Sequence, residues 1–226
     1  MSSKTSASVQ VRTTLPIRPL PPNTERAAIV TERLTIRPFR QDDLHGYHLL
    51  RTQPEVMLFT AVGCIDKDLA ETQSKLDLFL APNDAHTYNF AICILDTGEL
   101  IGVGGVHKMK LELGWPEVGY MLKREYWGKG YATEFLRGFV GSWWRLERQE
   151  AVITIDGYSV DVDKETDGQR PAPEYLTAII DANNEGSLRV LEKTGFRKFK
   201  TWTEPDSRIG YEGKDITLIR YLLGQE

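Results

Sequence analysis

The sequence predicts a mixed α/β (α+β) chain with a central, mostly antiparallel sheet of about seven strands, flanked by about four helices. Three observations predict it. Apolar segments of strand length follow one another between 88 and 123 with short turns between them, the pattern of a meander. From 131 onward Phe135, Leu136, Phe139, Val140, Trp143 and Trp144 recur at helical spacing. The rest reads as strand, helix and two more strands.

In chain order, "IVTERLTIRPF" alternates Leu34 and Ile36 on one face and predicts the first strand. Asp42 or Asp43 can cap a helix that runs to about residue 52. A second helix fits 67–80. The meander is 88–95, a tight "DTGEL" turn with Gly98 in the permissive position, then 100–109 and 116–123. After the long helix come a strand at 175–181, a helix from Asn183 or Asn184 to Gly195, and strands at 196–202 and 216–223. Residues 1–28, with four prolines between 16 and 22, predict a flexible Pro-rich arm ahead of one domain, 29–226. Residues 156–174 predict an acidic surface insertion, six carboxylates against one Lys and one Arg.

The chain has 226 residues, 41% hydrophobic and 27% charged, which suits a folded core rather than disorder. A net charge of −4 argues against a nucleic-acid binder. No stretch has the apolar length that spans a membrane, and the N-terminus lacks an apolar signal core, so a cytoplasmic setting is expected. Cys64 and Cys93 match no metal spacing, and the four histidines form no H-E-x-x-H pair, so no metal is expected. "DVDKETDG" fails as a calcium loop, because Thr166 and Ala172 stand where Gly and Glu are needed.

The stretch "REYWGKGYATE", 124–134, carries the chemistry. A helix starting near Gly130 or Tyr131 leaves its first N–H groups without internal acceptors, at the positive end of the dipole. Gly128 and Gly130 keep side chains out of the way, and Lys123, Arg124 and Lys129 can add positive charge. This suits a phosphate or pyrophosphate, and equally an ordinary strand-to-helix turn. A P-loop fails on spacing, a dinucleotide fingerprint fails at Thr133, and no H-R-D or D-F-G partner of a kinase loop occurs.

Strand, "WGKGYA" and long amphipathic helix resemble the coenzyme A pyrophosphate signature of the GNAT N-acetyltransferase superfamily. "NNEGSLRVLEKTGF", 183–196, is similar to its N-x-x-S-x-x-V-x-x-K-x-G-F segment through Asn184, Ser187, Val190, Lys193, Gly195 and Phe196. "PEVGYMLKREYWGKGYATE" and "TERLTIRPFRQDDL" look like the Rim-type branch, which acetylates ribosomal-protein N-termini. The resemblance spans about 30–223. Glu125 departs from it, since many members carry Gln or Arg there.

The resemblance implies direct transfer of acetyl from acetyl-CoA to a primary amine, either a protein N-terminus or a small molecule. Its coenzyme contacts carry over to Leu122, Lys123, Arg124, Gly128, Lys129, Gly130, Tyr131, Ala132, Thr133, Asn184 and Ser187. Glu117 is the candidate base, on the strand where the family often places one. The family's usual acid, a Tyr four residues after the motif Ser, is Leu191 here, and Ser187 is the substitute. Asn184 and Thr133 can also simply cap helices. His107 is a weaker candidate for the amine pocket, while Trp127 and Tyr131 read as packing under the loop. The expected partners are acetyl-CoA and an amine, with the chain a monomer or homodimer, and neither nucleic acid nor membrane. The competing reading is a coenzyme A-binding sensor or interaction module without catalysis.

Overall fold

The computed structural model describes residues 8–108, 114–159 and 171–225. Its strands are β1 (Ser8–Pro16), β2 (Ile29–Val30), β3 (Leu34–Arg37), β4 (Tyr88–Ile94), β5 (Leu100–Lys108), β6 (Glu117–Leu122), β7 (Arg148–Asp156), β8 (Tyr175–Asp181), β9 (Arg197–Pro205) and β10 (Asp215–Gly224). Its helices are α1 (Leu44–Arg51), α2 (Pro54–Met57), α3 (Leu69–Leu76), α4 (Tyr131–Trp144) and, closing the set, α5 (Glu185–Lys193).

Eight strands form the main sheet in the order β2-β3-β4-β5-β6-β8-β10-β9, while β1 and β7 form a separate ribbon. Neighbours are antiparallel except β6 and β8, which run parallel and meet at a single pair, Glu117 with Thr177. Beyond that pair the two strands diverge. The β8-facing backbone of the rest of β6 has no strand partner, which opens the middle of the sheet.

Two apolar layers cover the sheet. On one face α4 lays Phe135, Leu136, Phe139 and Trp143 against Leu34, Ile36, Phe90 and Ile92, all fully buried. Each such side chain contributes about 1.5–3 kcal/mol by leaving water. Leu176, Ala178, Ile219 and Tyr221 continue this core under α5. Period-two alternation therefore sends Glu117, Gly119, Thr177 and Arg220 to the opposite face. There α1 and α3 pack Tyr47, Leu50 and Leu76 on Ala91, Cys93 and Val103.

Residues 8–28 are not the flexible extension expected of 1–28. Residues 8–16 pair with β7 in a nine-residue antiparallel register. Val11 and Ile155 pack on Trp115 and Leu222, and Leu20 enters the main core. Arg26 donates to the carbonyls of Pro21, Asp84 and Thr87. The prolines of this segment suit an extended path, and β7 supplies a hydrogen-bonding edge that composition does not reveal. Strand β7 itself, "RQEAVITID", lies ahead of the expected insertion and takes in its first residue, Asp156. Residues 160–170, most of that insertion, lie outside the described residues. The helix expected over 67–80 is α3 followed by one tighter turn, 77–79. No helix among the described residues is long and apolar enough to cross a membrane.

Candidate active site

A cleft of about 1830 Å³ runs through the opening between β6 and β8, from the start of α4 to the far face of the sheet. Gly128, Gly130, Tyr131, Ala132 and Thr133 line one end, Asn184 and Ser187 its side, and Glu117, His107, Trp202 and Arg220 the other end.

At the first end Gly130 caps α4 in the left-handed region, φ 85°, and no side chain caps the helix. Gly128 is also left-handed, φ 72°, and a Cβ there would meet nothing within 4 Å. The first-turn amides of α4 therefore face open space, the arrangement that binds an anion. Arg33 holds this loop in place. Its Nη1 donates to the Lys129 carbonyl at 3.0 Å, its Nη2 pairs with Glu134 at 2.6 Å, and its guanidinium stands 4.5 Å from the Tyr131 ring centroid. Arg33 was missed in the sequence, being almost a hundred residues from the loop it holds.

Three of the expected coenzyme contacts point elsewhere. Lys123 is buried, with Nζ 3.2 Å from Glu99, a residue of the β4–β5 turn. Arg124 is exposed and pairs with Glu55 at 3.1 Å, while its amide donates to Gln53. Lys129 lies 5.6 Å from the Tyr126 ring centroid, outside the cleft lining. Leu122 lines the cleft, and its carbonyl accepts the Trp127 indole N–H at 2.7 Å, which ties the loop to the end of β6. Asn184 caps α5, its Oδ1 accepting from the Ser187 amide at 3.1 Å.

Leu191, where the resemblance would put an acidic Tyr, is fully buried in the core. A different tyrosine comes near Ser187. Tyr120 of β6 points to the α4/α5 face beside Phe135, within reach of the Ser187 hydroxyl, although the contact falls short of full hydrogen-bond geometry. Burial pushes the Tyr120 hydroxyl up to about 12, against a smaller opposing effect from Ser187, so it stays a proton donor across the neutral range. The resemblance looks for an acid on the helix, so a Tyr on the strand escaped notice.

On the opposite face Glu117 is buried, with Oε1 3.5 Å from His107 Nε2 and Oε2 without a partner among the described residues. His107 sits at a shift in the β5–β6 register. Gly119 makes room for the ring, since a Cβ there would stand 2.9 Å from His107 Cε1. Asp156, at the end of β7, pairs with Lys200 of β9 and brings the ribbon over this end of the cleft. A loop over 58–61 forms part of the rim. Behind it Arg51 and Lys75 both reach Asp66 at 2.6 Å.

The sheet opens between two parallel strands, with a glycine-lined helix start at one end of the cleft and a carboxylate at the other. The acetyltransferase (GNAT) domain family matches residues 33–197, and the chain belongs to that family. Among curated relatives it is 28% identical over 116 residues to the uncharacterized N-acetyltransferase p20 of Bacillus licheniformis, covering 50% of this chain and 63% of that one. It is 27% identical over 188 residues to the uncharacterized protein YkkB of Bacillus subtilis, covering 80% of this chain and 92% of that one. An acetyltransferase structure from Bacillus anthracis superposes with a TM-score of 0.62 at 20% identity, over 88% of this chain and 98% of that one, a likeness of fold. No group of three or more metal-ligating side chains occurs among the described residues.

Proposed function

We propose that the protein transfers the acetyl group of acetyl-CoA directly to a primary amine. The observation that carries this reading is the through-sheet cleft, which joins the amides of Tyr131–Thr133 to the buried carboxylate of Glu117, whose Oε2 has no partner among the described residues. Gly128, Gly130 and the amides that follow would hold the pyrophosphate of the donor, and Asn184 and Ser187 its pantetheine arm. The gap between β6 and β8 then gives the thioester a way to the far face. The β8-facing N–H of Leu122, on the side of β6 without a strand partner, can polarise the thioester carbonyl.

Glu117 accepts a proton from the acceptor, leaving a neutral amine whose lone pair forms the C–N bond. The C–S bond breaks. The departing thiolate takes a proton from the Tyr120–Ser187 pair, the second proton lost by the acylated nitrogen restores that pair through water, and Glu117 passes its own proton to solvent, so one proton is released for each ammonium group acetylated. "PEVGYMLKREYWGKGYATE" keeps the Rim-type branch, and with it a protein N-terminus, among the acceptors to test.

One observation favours the alternative of a non-catalytic coenzyme A-binding module: the fully buried Leu191 at the usual acid position. Thiol release from acetyl-CoA across a panel of amines and peptide N-termini separates the two readings. Catalysis predicts amine-dependent release. Acetyl-CoA-induced thermal stabilisation without release from any amine would support the binding module.

A further inference from the structure

Arg220 is a buried guanidinium, 6% exposed, at the acceptor end of the cleft. It has no ion pair and no side-chain hydrogen bond among the described residues, and its Nε is fully buried without a partner. Burying such a group is unfavourable unless something compensates it. Other cations of this wall are matched: Lys200 with Asp156, Arg208 with Asp206 and Asp181, and Arg51 with Asp66. Asp156, Glu117 and Glu204 act on Arg220 only as longer-range charges, which burial outweighs, and Glu204 accepts the Trp202 indole N–H at 2.6 Å. Arg220 instead lies over the Trp202 ring, 5.4 Å from its centroid, which orients the guanidinium without neutralising it.

Register relates Arg220 to the candidate base. Glu117 pairs with Thr177 on β8, and Arg220 pairs with Ile179 of the same strand from the other side. The two side chains thus share one face, about 10 Å apart across the strands and about 7 Å along them. Both side chains line the cleft, so one small molecule in it can meet the carboxylate with an amine and the guanidinium with an oxyanion.

Resting on the acetyltransferase reading, we propose that the acceptor is a small amine carrying an oxyanion, a carboxylate or a phosphate, which Arg220 binds against Trp202 while Glu117 receives the amino group. The planar fork of Arg matches both oxyanions. The bound anion would supply in direct contact the counter-charge that Asp156, Glu117 and Glu204 supply only at a distance.

The test uses the full chain with acetyl-CoA and matched pairs of acceptors: glycine against glycinamide, and phosphoethanolamine against ethanolamine. The expected result is a preference of at least about thirtyfold in kcat/KM for the anionic member of one pair, expressed mainly in KM. Which pair shows it distinguishes carboxylate from phosphate. Arg220→Met should bring that ratio close to one, and Arg220→Lys should restore part of it. Acetyl-CoA-induced thermal stabilisation of each variant reports that it folds. Equal rates for neutral and anionic acceptors in the unmodified chain, or a preference that survives in Arg220→Met, would overturn the proposal while leaving acetyl transfer intact. Absence of thiol release with every amine would instead remove the acetyltransferase reading on which it rests.

Discussion

The Glu117 carboxylate and the His107 imidazole stand 3.5 Å apart, Oε1 to Nε2, on the face of the sheet away from α4. The glycine two residues along β6 makes that approach possible. Adding one methyl group at Gly119 should therefore move the ring without disturbing the strand, because His107 is 37% exposed and has somewhere to go. Gly119→Ala should lower kcat by about ten- to a hundredfold. Its acetyl-CoA affinity and thermal midpoint should match the unmodified chain, as checked by calorimetry and by a melting curve. An unchanged kcat would show that the imidazole plays no part at this end of the cleft.

Tyr120 and Ser187 form one proton path in this account. Tyr120→Phe or Ser187→Ala should each lower turnover by about a hundredfold. The double variant should be little worse than the slower single, since one path cannot be broken twice. Single-turnover kinetics at saturating acetyl-CoA measure this. Multiplicative losses would mean that the two hydroxyls act separately.

Asp66 anchors the rim of the cleft. Burial alone would raise its pKa, but hydrogen bonds from Arg51, Lys75 and Thr72 outweigh that and hold it at about 2, below the ordinary 3.8. A depressed carboxylate stabilises the fold above its unfolded pKa and loses that contribution as pH falls through the folded value. About 2 kcal/mol should thus be present above roughly pH 4 and disappear toward pH 2. Asp66→Asn should cost about 3 kcal/mol at neutral pH, because it leaves Arg51 buried without its partner. Urea unfolding at pH 7 and at pH 3 tests both statements. The variant should also flatten the acid limb of the stability curve.

The N-terminal segment belongs to the core through Leu20, which is 1% exposed. Leu20→Ala should lower the unfolding free energy by about 3 kcal/mol. A truly flexible arm would register no change in the same melt.

How much of this could be read from residues alone depended on distance along the chain. The loop 128–133 and the Asn184–Ser187 cap were legible because backbone amides, glycine conformations and helix caps are local. The sheet was legible from period-two and helical apolar patterns in adjacent segments. Tyr120, Arg33 and Arg220 were not, because each stands near the cleft or its loop through a partner fixed by strand register or by a turn far away. Lys123 shows the converse: beside a phosphate-type loop it looked available, yet Glu99, 24 residues earlier, takes its ammonium group. The β1–β7 ribbon was hidden because neither strand covers the sheet without the other.

The most direct measurement of the central claim is the turnover of Glu117→Gln alongside its affinity for acetyl-CoA. The substitution keeps the size of the side chain and removes its basicity. The account predicts that kcat falls by about a hundredfold or more while the dissociation constant for acetyl-CoA stays the same. Unchanged turnover would contradict the assignment of Glu117 as the base, and a lost affinity for acetyl-CoA would contradict the separation of donor and acceptor ends of the cleft.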